Sequence, residues 1–335
     1  MELSPTELDH LPEISLDTPK WSALDQYLEE YYAQLGSQGK GLKTYFDEFD
    51  KKLEGLRGIV IMGGEPGSGK TALALQIGFD TAADEANIPV VIYSFEMPKA
   101  QLVTRLFQRV GKIRYRTLQQ KTTELTEADR QQVQDTQKQI QNIAHRLFIR
   151  ETKDFFKGAK DGSGSISAVF DFGEQIRHLE QLTQQFGKPP LVIIDSLHEI
   201  PVDQQYGREL KQKIDHLMLN LRNMCDQTGA TILLISHQSR SGQSSGGLQS
   251  FMGSASIEYT VDMALTITNP TQEDSPEKER ELSVAKNRYG PKPKARLYFD
   301  GAFMDFEFVE LISSLGVAMP EKAPKKASKK KDDSI

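Results

Sequence analysis

Short apolar runs alternate with longer amphipathic stretches over most of this chain. The runs are Ile59-Val60-Ile61-Met62, Pro89 to Phe95, Leu147-Phe148-Ile149, Leu191-Val192-Ile193-Ile194 and Thr231 to Ile235. Runs this short, with little polar interruption, predict strands covered on both faces, as in a parallel sheet. The stretches between them predict helices. Thr71 to Ala86 is rich in Ala and Leu and lacks proline, and Lys99 to Val110 is helical by the same reading. Thr126-Glu127-Ala128-Asp129 reads as a capping box opening a polar helix that reaches about His145. Ile176, Leu179 and Phe186 mark the next helix. Leu210, Ile214, Leu217, Leu221 and Met224 share one face of a longer helix, which Gly229 stops. Residues 155–168, rich in Gly, Ser and Lys, predict a flexible loop. Toward the C-terminus the pattern becomes all β, with Met263 to Ile267, Leu282 to Ala285 and Arg296 to Phe299. Asp300-Gly301 turns the last of these back into Met304 to Phe308 as a hairpin. The sum is an α/β fold: a parallel sheet with helices on both faces and an antiparallel edge appended.

The ends read differently. Residues 1–17 predict disorder, and Thr18-Pro19 is a helix-start signal. Trp21, Leu24, Leu28, Tyr31 and Leu35 then fall on one helical face, ending near Gly36. The expected organisation is a disordered segment at 1–17, an amphipathic helix and linker at 18–40, a nucleotide-binding core at 41–312, and a lysine-rich disordered tail at 313–335. A chain of 335 residues fits one α/β domain with such extensions.

Composition narrows the class. Hydrophobic residues make up 38% and charged residues 26%, as in a globular protein, and no apolar run is long enough to cross a bilayer. The acidic, polar start is not a secretory signal. Cys225 is the single cysteine, so no internal disulfide and no cysteine-based zinc site forms, which fits a cytoplasmic protein. Its plain reading is a small core residue on a helix. The net charge of −6 does not advertise nucleic-acid binding, so any nucleic acid held by the body needs a local patch.

Explicit chemistry begins at Gly64-Glu65-Pro66-Gly67-Ser68-Gly69-Lys70-Thr71, the phosphate-binding pattern G-x-x-x-x-G-K-[ST]. Its glycines let backbone N–H groups turn inward around a triphosphate, Lys70 reaches the β- and γ-phosphates, and the Thr71 hydroxyl suits Mg²⁺. A strand before and a helix after supply the context the motif requires. Hydrolysis also needs an activated water and positive charge at the departing phosphate. Asp195 ends the run Leu191–Ile194, where a carboxylate sits beside the P-loop and holds the Mg²⁺ shell; a structural carboxylate is the plain alternative. Glu96 ends the second strand and faces the ligand crevice. It would polarise the attacking water, or merely cap the helix ahead of Pro98. His237, in Ser236-His237-Gln238, follows the strand Thr231–Ile235, where a polar side chain would report the γ-phosphate to the next loop. That loop, Ser239 to Ser256, carries Arg240 and is long enough to call for a partner. Lys286 and Arg288 follow the strand Leu282–Ala285. On their own they read either as a solvated basic turn or as a finger toward a phosphate in the next subunit.

Taken together, these segments resemble the C-terminal ATPase domain of DnaB-type replicative helicases, within the RecA-like P-loop ATPases. The resemblance rests on Gly64–Thr71, Tyr93-Ser94-Phe95-Glu96-Met97-Pro98, Leu191–Ser196, Gly253 to Glu258, and Ala285-Lys286-Asn287-Arg288-Tyr289-Gly290-Pro291. It implies a homo-oligomeric ring, usually a hexamer, with ATP and Mg²⁺ at subunit interfaces and single-stranded DNA in the channel. It implies that Lys70, Thr71 and Asp195 bind ATP–Mg²⁺, that Glu96 activates water, and that Lys286 and Arg288 act on the neighbour's nucleotide. It also implies that loops near Val202–Arg208 and Ser239–Gly253, with Arg208 and Arg240, track DNA. A loader or other replication protein is the expected partner, and no membrane. The family's N-terminal helical domain is not recognisable, and only the Trp21–Leu35 helix precedes the core. The family's usual Gln after the sensor serine is His237 here, and Asp195-Ser196-Leu197 is closer to recombinase-like relatives. Two other functions fit the same residues: a RecA-like DNA-binding ATPase that does not unwind, and a regulatory ring ATPase that switches a protein partner.

Overall fold

The computed structural model describes residues 41–157, 167–203, 206, 209–236, 255–269 and 278–312, together with Leu28 and Tyr32. The chain divides into two units, Met1–Lys40 and Gly41–Ile335. Of the first, Leu28 and Tyr32 are described, and both are helical. In the second, the described elements begin with α1 (Asp47–Leu53), β1 (Ile59–Gly64), α2 (Lys70–Ala83), β2 (Val90–Ser94), α3 (Lys99–Gly111), α4 (Tyr115–Leu118) and α5 (Glu127–Ala144). They continue with β3 (Leu147–Glu151), β4 (Phe156–Lys157), β5 (Ser167–Ala168), α6 (Phe172–Phe186), β6 (Leu191–Asp195) and α7 (Leu210–Thr228). The last are β7 (Thr231–Ile235), α8 (Ala255–Thr260), β8 (Met263–Thr268), β9 (Glu279–Asn287), β10 (Lys294–Asp300) and β11 (Asp305–Ile312).

Nine strands form one sheet in the order β11-β10-β9-β8-β1-β7-β6-β2-β3. The six from β8 to β3 run parallel, and β9, β10 and β11 run antiparallel. This is the predicted α/β class with its antiparallel C-terminal strands. One detail differs from the sequence pattern, which groups Met263–Ile267 with the antiparallel end. β8 instead pairs parallel to β1, with Val60 opposite Met263.

Burial on both faces explains the unbroken apolar runs. Alternate residues feed two cores. Val60, Met62, Val90, Ile92, Ile193 and Leu233 pack with Leu73, Ile77, Leu102 and Leu106 of α2 and α3. Ile59, Ile61, Val91, Val192, Ile194 and Leu234 pack with Leu179 of α6 and Ile214, Leu217, Leu221 and Met224 of α7. Leu210, placed on that α7 face by spacing, is exposed at the helix start. Cys225 is buried on α7, as its plain reading expects. The capping box at Thr126 and Asp129 forms, with Asp129 N donating to Thr126 Oγ1 at 3.1 Å.

Some features left no sequence pattern. The stretch 155–168, read as loop, holds the two-residue strands β4 and β5, paired at Phe156 and Ala168. α1 is preceded by a turn in which Asp50 accepts from Thr44 N, Tyr45 N and Thr44 Oγ1 at 2.7–3.0 Å. Among the described residues no helix is long and apolar enough to cross a membrane.

Candidate active site

The P-loop joins β1 to α2, which begins at Lys70 behind Gly69. Gly69 has φ 97°, and a Cβ there would lie 2.6 Å from Phe306 Cζ, so both conformation and space require glycine. Phe306 is held over the loop by Gln76 of α2. The Gln76 amide donates to Phe306 O at 2.9 Å and accepts from Phe306 N at 2.7 Å. Phe299 stacks on Phe306 with ring centroids 4.4 Å apart. The antiparallel end of the sheet thereby lines the cavity beside the P-loop.

Lys70 is buried and donates from Nζ to Gly64 O and Glu65 O, both at 2.9 Å. Burial lowers its pKa, and the carboxylates of Asp195, Glu96 and Glu65 oppose that shift. Thr71 Oγ1 donates to Asp195 Oδ2 at 2.9 Å. A hydroxyl and a carboxylate in contact at a P-loop are the oxygen donors that Mg²⁺ prefers, so these residues fit the ion. Among the described residues no group of three or more His, Cys, Asp or Glu is placed to hold a metal ion.

β2 and β6 are neighbours, with Ser94 opposite Asp195. The ladder runs past the strand ends: the Asp195 carbonyl accepts from Phe95 N at 2.7 Å and Glu96 N at 3.3 Å. The two sequence-predicted carboxylates therefore stand side by side at the carboxyl edge of the sheet. Glu96 does not cap α3. The N-cap is Pro98, and Glu151 of β3 accepts from Lys99 N at 2.8 Å. Glu96 Oε1 instead accepts from Ser196 Oγ at 2.6 Å.

A cavity of about 420 Å³ opens over these groups, lined by Gly67, Lys70, Thr71, Glu96, Asp195 and Arg105, with Phe299 and Met304 opposite. A second, of about 480 Å³, shares Arg105 and Met304 and adds Arg114, Tyr115 and Arg116. Arg105 was not singled out from sequence. Burial lowers its pKa and the Asp195 charge opposes this. The available signal was the polar stripe Gln101, Arg105 and Gln108 on α3, beside the buried Leu102 and Leu106.

Lys286 and Arg288 lie elsewhere. β9 is antiparallel to β8, and Ala264 opposes Lys286. That puts both cations beside the start of β1, whereas the P-loop is at its end. Six residues of strand at about 3.3 Å each separate the two edges by roughly 20 Å. Within one chain, then, the pair does not reach its own P-loop. Lys286 Nζ donates to Glu258 O at 2.6 Å. Arg288 donates to Asp262 Oδ1 at 2.9 Å and to Tyr259 O. Arg222 donates to Asp262 Oδ2 at 2.9 Å and to Thr260 O. Successive carbonyls ending α8 thus each receive a cation, as the negative end of a helix favours. Asp262, buried, also accepts from Ile59 N at 2.8 Å and ties this knot to β1. His237, Arg208 and Arg240 lie outside the described residues, as do most of the two loops expected to face DNA.

A P-loop between strand and helix, a strand-end aspartate on its threonine and a strand-end glutamate alongside define a P-loop NTPase of the RecA-like class. The family model of the DnaB-like helicase C terminal domain matches residues 41–308, and the chain belongs to that family. It is similar to the replicative DNA helicase DnaB of Geobacillus stearothermophilus, 25% identical over 279 residues, which cover 81% of this chain and 57% of that protein. The DnaB helicase of Pasteurella multocida is 24% identical, with 80% of this chain and 55% of that protein covered. The chain spans a little over half the length of these relatives. Among solved structures, an ATPase domain is matched along its full length and 87% of this chain, with a TM-score of 0.72 and 19% identity. A DnaB-like replicative helicase, solved with its interactions with primase, matches 87% of this chain and 68% of its own, with a TM-score of 0.68 and 19% identity. At these identities the structural likeness establishes the fold.

Proposed function

We propose that the chain is an ATP-hydrolysing, DnaB-like motor that acts on single-stranded DNA as a homo-oligomeric ring, a hexamer by the family's habit, in DNA replication or repair in the cytoplasm. The observation that carries this reading is the meeting of Lys70, Thr71, Asp195 and Glu96 at one sheet edge. The triphosphate would replace the carbonyls of Gly64 and Glu65 as partners of Lys70. Thr71 and Asp195 would hold Mg²⁺, which neutralises charge on the phosphates when bound. Glu96 accepts the proton of the attacking water. Lys286 and Arg288, remote from their own P-loop, would act on the neighbour's γ-phosphate. His237 would sense that phosphate, and Arg208 and Arg240 would contact the DNA backbone. A loader or other replication protein would place the ring on DNA.

The test is steady-state ATP hydrolysis with and without a single-stranded oligonucleotide. DNA is expected to stimulate the rate, and Lys70→Ala to abolish it. An equal rate with and without DNA would sink the motor reading and favour a ring that switches a protein partner.

A further inference from the structure

Ser196 is wholly buried directly after β6 and has no part in the phosphate chemistry above. Its hydroxyl donates to Glu96 Oε1 at 2.6 Å, across the junction between β6 and β2. The backbone there is already fixed, because the Asp195 carbonyl accepts from both Phe95 N and Glu96 N. Those amide bonds determine where the Glu96 side chain starts, and the Ser196 hydroxyl holds one oxygen of its carboxylate. A hydroxyl-to-carboxylate bond of this length is charge-assisted and roughly twice as strong as a neutral one. Catalysis by a proton acceptor requires that it be held close to its productive geometry, since a displacement of about 1 Å can cost ~100-fold.

We propose that Ser196 is a positioning residue for Glu96, holding the carboxylate toward the water that attacks the γ-phosphate without touching the nucleotide. This rests on the reading of Glu96 as the proton acceptor. The test is steady-state hydrolysis by the full chain on saturating single-stranded DNA, with thermal unfolding of each variant as the control for folding. Ser196→Ala is expected to lower kcat about tenfold, about 1.4 kcal/mol, and to leave KM for ATP within roughly twofold. Ser196→Thr keeps the hydroxyl and is expected to restore most of kcat.

Should the extra methyl of threonine not fit the buried site, a double variant decides. Aspartate at position 96 is one methylene shorter and out of reach of Ser196. Adding Ser196→Ala to Glu96→Asp is therefore expected to lower kcat no further. A loss that multiplies in the double variant, or a Ser196→Ala effect confined to KM, overturns the proposal. Glu96→Gln separates the two readings. If it hydrolyses ATP normally, Glu96 is not the acceptor. If it is inactive while Ser196→Ala keeps the parent kcat, only the positioning role falls.

Discussion

Cys225 illustrates how one residue's chemistry follows from its burial. The thiol donates to Ala230 O at 3.3 Å, and burial pushes its pKa up to about 11 from an ordinary 9.0. A thiol raised on folding stabilises nothing extra below the unfolded value. Above it, the unfolded chain ionises first, so stability falls as pH rises from 9 toward 11. The thermal midpoint is expected to drop over that window, and iodoacetamide to label Cys225 only on unfolding. Fast labelling of the native protein at about pH 8 would contradict this. Other residues divide by how local their cause is. Gly64–Thr71 was legible because the loop's conformation is written in consecutive residues. Asp195 and Glu96 were legible because strand ends are. The places of Ser196 and Arg105 were not, because they depend on β6 lying beside β2 and on α3 sharing a cavity with the P-loop. Apolar runs do not state which strands are neighbours.

Elements meet at two joints whose loss should be measurable. The first is Gln76, which holds the backbone of Phe306 at both its N–H and its carbonyl. Gln76→Ala leaves two buried backbone groups unsatisfied, a cost of about 2–4 kcal/mol. Faster amide exchange in β11 than in β1 is expected; unchanged exchange in β11 would show the joint to be unimportant. The second is Asp262, which accepts from Ile59 N, Arg222 and Arg288. Asp262→Ala is expected to cost about 2–4 kcal/mol in chemical denaturation, since a buried acceptor disappears beneath two cations. Arg288→Ala is expected to cost under about 1 kcal/mol, because Arg288 is half-exposed and Arg222 still neutralises Asp262. Equal costs would refute this ranking. The capping box of α5 and the glycine stop of α7 were legible, being local signals. α1 and the β4–β5 pair were not, being too short to show a period, and neither was the parallel pairing of β8, which depends on contacts remote in sequence.

At the scale of the molecule, the sheet has a P-loop edge and a cation edge. The first carries the P-loop, Asp195 and Glu96, and the second carries Lys286 and Arg288 bound to the end of α8. The alternation of runs and helices made the α/β class legible, while the ring is an expectation that the resemblance supplied. The separation of the two edges was not legible, since it follows from strand order. It gives the shared-site reading its physical reason: a nucleotide served by both edges needs two copies of the chain. The most direct measurement mixes two variants, Glu96→Gln and Arg288→Ala, each expected to be inactive alone with ATP binding retained. In mixed oligomers on single-stranded DNA, an intact Glu96 in one subunit meets an intact Arg288 from its neighbour, and hydrolysis is expected to return in proportion to such interfaces. If the mixture stays as inactive as its components while mass photometry shows mixed rings, the site is not shared in the way proposed.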